Sequence, residues 1–157
     1  NMKFMMNGAI TLGTLDGANV EITNFVGSDN AVIFGMREEE VKKIKFDNSY
    51  NPWDIYNSDV RVKAVIDSLT DGTFSKDKGQ FQMIFDEIMY RNDEFMVLKD
   101  FASYIEACKR IEKMYLDRDS WGRSCLINIA NSGWFSSDRT ISEYNRDIWH
   151  LKKIFDK

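Results

Sequence analysis

The sequence predicts an α/β chain that is mostly helical, with about two parallel strands near its start and a helical tail behind them. Three observations carry this prediction. One proline, Pro52, and nine glycines among 157 residues are too few turn formers for an all-β fold. Before residue 50, short β-rich runs alternate with helical patterns, the order of parallel strands joined by right-handed crossovers. After residue 50, apolar residues recur at helical spacing instead.

The opening run Asn1-Met2-Lys3-Phe4-Met5-Met6-Asn7-Gly8 suits a helix closed by Gly8 as its C-cap. No Ser, Thr or Asp precedes it as an N-cap, so it reads as a helix entered part-way and the chain as a piece of a longer protein. A start at Met2 is the alternative. Ile10 to Thr14 is β-rich, and Leu15-Asp16-Gly17 turns the chain. Ala18 to Val26 predicts a short helix with Val20, Ile22, Phe25 and Val26 available for burial, ended by Gly27. Ala31 to Phe34 is a continuous apolar run closed by Gly35, which reads as a strand buried on both faces. Arg37 to Lys45 is acidic at its start and basic at its end, which suits the helix dipole and offers Glu38–Lys42 and Glu39–Lys43 pairs. Two parallel strands do not complete a doubly wound sheet, so further strands are expected upstream, and the unpaired edge predicts self-association of the isolated piece.

Asn51-Pro52 predicts an N-cap and first helical residue. Ser58 is the expected cap of a helix with Val62, Val65, Ile66 and Leu69 on one stripe and Gly72 past its end. Phe81, Ile84, Phe85, Ile88 and Met89 form the next stripe. A longer one runs from Phe101 through Tyr104, Ile105, Cys108, Ile111 and Tyr115. Asp119 or Ser120 is expected to start a helix that ends near Gly133, and Ser137 or Asp138 the last one, with Thr140 and Glu143 as an alternative capping box. The segments from Gly72 to Gly79 and from Phe46 to Asn51 are the expected loops.

Composition excludes several classes. With 43% hydrophobic residues the chain can bury a core, which excludes general disorder. A net charge of −4, with 9 basic and 12 acidic residues before position 81 and 12 and 13 after it, excludes a broadly basic nucleic-acid surface. There is no apolar run long enough to predict a membrane helix. Cys108 and Cys125 lack metal or redox spacing and read as free thiols, and the absence of a secretory signal favours the cytoplasm. No metal site is expected. His150, the single histidine, reads as a helix C-terminal residue; Glu38-Glu39-Glu40 reads as a solvated helix start, and Gly8, Gly13 and Gly17 as turn and cap glycines. Lys3, one of 13 lysines, stands apart because Met2, Phe4, Met5 and Met6 flank it. A lysine desolvated among apolar side chains offers the neutral amine that attacks an aldehyde; one whose stem lies along a half-buried helix does not.

Three motifs settle between these readings. Residues 1–22, from Asn1-Met2-Lys3-Phe4 through Leu15-Asp16-Gly17-Ala18-Asn19-Val20-Glu21-Ile22, closely resemble the cofactor-lysine region of the glycogen, starch and maltodextrin phosphorylases. The same family order continues with Val97-Leu98-Lys99-Asp100-Phe101 and Ser103-Tyr104-Ile105. It ends with Asn128-Ile129-Ala130, Ser132-Gly133 and Phe135-Ser136-Ser137-Asp138-Arg139-Thr140-Ile141. The resemblance runs from Asn1 to about Trp149.

The resemblance implies the C-terminal part of an α-glucan phosphorylase, which cleaves α-1,4-glucan with inorganic phosphate to release glucose 1-phosphate. It implies pyridoxal 5'-phosphate as cofactor and Lys3 as the residue that carries it, mainly as an anchor, because the cofactor's phosphate exchanges the proton with substrate phosphate. The implied fold is the end of the Rossmann-like second domain of a two-domain, GT-B type glycosyltransferase. Residues 1–50 would close that domain with the cofactor lysine, and residues 51–157 would be a helical region packed on it. The partners implied are the missing N-terminal portion of the enzyme and further copies in a homo-oligomer, with neither nucleic acid nor membrane. The glycine-rich phosphate cradle, the substrate-phosphate residues and the sugar-side histidine of the family belong upstream of Asn1, so Lys3 alone is carried over as a site residue and the isolated piece is expected to be inactive. Asp16, Gly17, Ala18 and Asn19 match the family without an assigned role. Two other readings are a non-catalytic helical interaction module and a nucleotide-sugar glycosyltransferase; the second leaves Lys3 unexplained.

Overall fold

The computed structural model describes residues 1–152 and 154. Its elements run α1 (Met2–Met6), β1 (Leu12–Thr14), α2 (Ala18–Val26), β2 (Val32–Phe34), α3 (Glu38–Asp47), α4 (Pro52–Ser58), α5 (Val60–Ser68), α6 (Gln82–Met89), α7 (Val97–Leu116), α8 (Arg118–Asn131) and α9 (Ser137–Tyr144). A 3-10 turn, Ser132–Phe135, joins α8 to α9, and a π-helical turn, Asn145–Trp149, follows α9. The strands β1 and β2 pair in parallel, as expected, and the rest is helical. Both strands are three residues long, shorter than the runs predicted from Ile10 and Ala31, and β2 is buried only at Val32, with Ile33 and Phe34 half-buried.

The chain divides into two compact units. The first comprises Asn1–Leu12, Gly17–Val32 and Ile111–Lys157, the second Gly13–Asp16 and Ile33–Arg110. In the first unit, Met5, Ile22, Val26 and Ala31 form the apolar core, with Ile127 and Phe135 packed on it. The turn Gly27–Asn30 is tied to α8 by polar groups: Ser124 Oγ donates to Asn30 Oδ1 at 2.8 Å, and Asn128 Nδ2 donates to Asn30 O at 2.9 Å. Asn128 is fully buried, and its Oδ1 has no hydrogen-bond partner among the described residues. Val20 and Phe25, expected inside, are exposed, because a nine-residue helix aims only one stripe inward and Asn19, Ile22 and Val26 occupy it.

In the second unit, Val62, Ile66, Met89 and Leu98 are the core, surrounded by Trp53, Tyr56, Phe85 and Phe101 among others. Asn51 caps α4 by accepting from Trp53 N at 3.1 Å, with Pro52 at the first helical position as predicted. The α5 cap is Asp59 and not Ser58: Asp59 Oδ1 accepts from Arg61 N at 2.9 Å, while the Ser58 hydroxyl donates back to Ile55 O within α4. Val65 is exposed, on the far side of α5 from Val62 and Ile66. The predicted Glu38–Lys42 pair forms at 2.5 Å. α7 begins at Val97, four residues before the predicted stripe, because the preceding loop caps it. Asp93 is buried there, and its Oδ2 accepts from Leu98 N at 2.9 Å and from the Tyr50 hydroxyl at 2.6 Å. Burial and the Asp93 carboxylate push the Tyr50 phenol far above its ordinary range.

Later caps also shift. Asp117, not Asp119 or Ser120, caps α8 by accepting from Ser120 N at 3.1 Å, and Ser136 precedes α9. His150 ends the π-helical turn in a left-handed conformation, its N–H donating to Asn145 O at 2.7 Å.

Candidate functional site

Lys3 lies in α1, a five-residue helix of the first unit. One residue of that helix, Met5, is fully buried, and it enters the core formed with Ile22, Val26 and Ala31. At 3.6 residues per turn so short a helix buries little else, so Met2, Lys3, Phe4 and Met6 are all exposed. The apolar neighbours read from the sequence therefore do not desolvate Lys3 in this chain. What the sequence puts beside the lysine is an exposed apolar rim and a single buried anchor below it.

The backbone under Lys3 is fixed at both ends. Asn1, the N-cap, donates from Nδ2 to Asn19 Oδ1 at 2.6 Å, and Asn19 is itself buried. Asn7 Nδ2 donates to Lys3 O at 2.7 Å. Beyond the helix, Gly8 N–H donates to Met5 O and Ala9 N–H to Phe4 O, at 2.9 and 3.0 Å, a Schellman ending with Gly8 left-handed at φ +83°. The same glycine allows close approach: a Cβ there would sit 3.3 Å from Ile129 Cδ1 and 3.4 Å from Cys125 Cβ of α8. The sequence identified Gly8 as a cap but not this contact, which joins residues more than a hundred positions apart.

The matching motifs acquire distinct structural roles. In the first, Asn19 ties down Asn1, while Asp16 accepts from Thr14 Oγ1 at 2.8 Å and is exposed. In the third, Ile129 packs on Gly8, Asn128 holds Asn30, and Arg139 stacks 4.0 Å over the Trp134 ring while donating to Trp134 O and Glu143. The second motif works within the second unit. Gly35 N–H donates to Ser103 Oγ at 3.0 Å and Met36 N–H to Asp100 Oδ1 at 2.9 Å, so the start of α7 clasps the chain leaving β2. Gly35 is left-handed at φ +80°, and a Cβ on it would come within 2.6 Å of Asp100 Oδ2. Burial raises the Asp100 pKa, opposed by the Met36 N–H. These are positioning roles for backbone, and sequence spacing could not assign them.

His150, outside the motifs, is exposed, and Glu38, Glu39 and Glu40 form the exposed first turn of α3. Cys108 and Cys125 are free and half-buried. Among the described residues no group of three or more His, Cys, Asp or Glu could hold a metal ion, and no helix is long and apolar enough to cross a membrane.

Lys3 lies on a short capped helix before β1, and the Asn128 and Arg139 runs follow it in sequence order. The carbohydrate phosphorylase family model matches residues 1–151, and the chain belongs to that family. Among curated relatives it is similar to the glycogen phosphorylase of Bacillus subtilis (strain 168), 47% identical over 98% of this chain and 19% of that protein. The glycogen phosphorylase of Synechocystis sp. is 43% identical over 98% of this chain and 18% of its own length, and the muscle form of Rattus norvegicus 42% over 97% and 18%. The chain thus spans 18–19% of the length of these relatives.

Proposed function

We propose that this chain is the cofactor-bearing part of an α-glucan phosphorylase, which cleaves α-1,4-glucan with inorganic phosphate and releases glucose 1-phosphate. Lys3 is the residue that carries pyridoxal 5'-phosphate. One observation carries the reading: an exposed lysine amine rises from a backbone that Met5, the Asn1–Asn19 bond and the Gly8 turn hold in place. A covalent anchor needs this combination, because the amine must be reachable while its Cα must not drift. The residues therefore fit the cofactor as an anchor.

Pyridoxal phosphate, when bound, would supply a phosphate group that exchanges a proton with the substrate phosphate. The chain's own contribution is to bind and orient. Lys3 holds the group, and the α1 ending and Asn19 keep Lys3 from shifting. Fold and organisation follow the same proposal: residues 1–50 close a Rossmann-like second domain of a GT-B type enzyme, and residues 51–157 are its helical C-terminal region. The complete protein is cytoplasmic and homo-oligomeric, and completes its substrate site with its N-terminal portion. By themselves the 157 residues have no turnover, since the positions matched to the family here include a cofactor anchor but no substrate-phosphate ligand.

The test uses the complete protein that carries this chain, purified with glycogen and phosphate. Glucose 1-phosphate should appear, and borohydride reduction followed by peptide mass mapping should place the pyridoxyl group on Lys3. A reduced cofactor on another lysine would remove Lys3 from the proposal; no glucose 1-phosphate with cofactor in place would overturn the activity and favour an interaction module.

A further inference from the structure

At the carboxyl ends of β1 and β2 the second unit opens a cavity of about 660 Å³. Thr14 and Phe34, the last residues of the two strands, line it, as do Asp16 and Met36 two positions beyond each. Ligands of open α/β sheets gather outside the carboxyl ends of parallel strands, and small-molecule sites enclose roughly 300–1,000 Å³. Location and size thus agree independently.

The walls are aromatic. The Phe34 and Tyr104 rings meet edge to face at 5.1 Å, Phe101 adds a third, and Phe95 stands at the mouth 82% exposed. The charge around them is one-sided: among the described residues Asp16, Glu94 and Asp100 line the cavity against a single cation, Lys45. Among the described residues none of these four takes part in an ion pair. Asp100 is also fixed in place, with one oxygen on the Met36 N–H and the other in the space that Gly35 leaves by having no side chain.

We propose that this cavity binds a small organic cation, an ammonium or guanidinium group carried on a flat apolar body. The body lies against Phe34, Phe101 and Tyr104, whose faces attract positive charge, and the charge is met by the carboxylates of Asp16 and Asp100. An anion would meet three carboxylates, and a neutral apolar molecule would leave their excess negative charge unmatched. Burial raises the pKa of Asp100, and a cation placed beside it would offset the cost of its charged form. This site does not depend on the cofactor reading of Lys3, which belongs to the other unit.

The experiment is a titration of the complete protein that carries this chain, isotope-labelled, with phenethylammonium chloride, followed by NMR. The uncharged isostere 2-phenylethanol and the anion 3-phenylpropanoate are run beside it. Saturable shifts at Thr14, Phe34, Met36 and Tyr104 are expected with the cation, much weaker ones with the alcohol and none with the anion. Asp16→Asn, an exposed position whose replacement can still accept from Thr14, should weaken the cation about threefold, the size of one exposed charge contact. Equal response to the alcohol, an unchanged affinity in Asp16→Asn, or shifts confined to other residues would each overturn the proposal. So would concentration-dependent shifts of these same amides without ligand, which would assign the cavity to a second copy of the chain.

Discussion

The first unit fastens its apolar core of Met5, Ile22, Val26 and Ala31 with a polar joint, Asn30, Ser124 and Asn128 bonded across a turn and a helix; the second unit is centred on an aliphatic cluster of Val62, Ile66, Met89 and Leu98. Directional bonds fix position, since an amide that moves by an ångström loses its partner; apolar contacts supply more stabilisation but carry no direction of their own. The polar joint lies in the unit that carries Lys3, and the proposed anchoring role is the one that would call for a fixed position. The second unit sets its directional bonds at buried Asp93, which accepts from Leu98 N and the Tyr50 hydroxyl, and on the Gly35–Met36 backbone.

The contrast can be broken by substitution. Ile66→Ala, in the apolar cluster, should cost about 3 kcal/mol in urea unfolding, and hydrogen exchange should show the loss in the amides of α5 and α6 first. Gly35→Ala should cost about 2–3 kcal/mol, from a left-handed backbone and a Cβ driven against Asp100, and near-ultraviolet circular dichroism should report loosening around Tyr104. Asn128→Ala should cost less, about 1–2 kcal/mol, because Asn30 O loses its donor while the unpartnered Oδ1 is removed as well. A cost above that of Ile66→Ala would reverse the comparison.

Two carboxylates sharpen it by pH. The Arg61 side chain, then its backbone N–H, holds Asp59 down to about 2, below its ordinary 3.8. Its contribution is therefore complete above pH 3.8 and lost as pH falls through about 2, so the stability gap between Asp59→Ala and the parent chain should close across that window. Asp100 has the opposite sign. Its folded pKa is raised, so its contribution is complete below 3.8 and lost as pH rises through the folded value. Asp100→Asn keeps an acceptor for Met36 and should gain stability relative to the parent as pH rises from 4 to 7. A flat difference would mean that Asp100 ionises without cost.

Local features were legible in the sequence. The bounds of α2, the Asn51-Pro52 start of α4 and the Gly8 cap followed from residue type and spacing. The proposal for Lys3 rests on its motif alone, since of its four apolar neighbours only Met5 is buried while Met2, Phe4 and Met6 face solvent. The caps at Asp59 and Asp117 were missed by one to three residues, because Ser, Asp and Asn neighbours compete for the same orphan N–H groups. The Asn30–Asn128 joint and the Ser103 and Asp100 clasp on Gly35 and Met36 were beyond reach. Their partners lie 64 to 98 residues apart, and no periodicity connects them.

Those separations also set a timetable. On a ribosome adding roughly 5–20 residues per second, the Asn30 carbonyl waits on the order of 5–20 s for Asn128 to be made. The Gly35 and Met36 N–H groups wait about 3–14 s for Ser103 and Asp100 by the same arithmetic. Through that interval β2 has its carboxyl end open and its turn unfastened, so the nascent chain is exposed to misassembly at that strand.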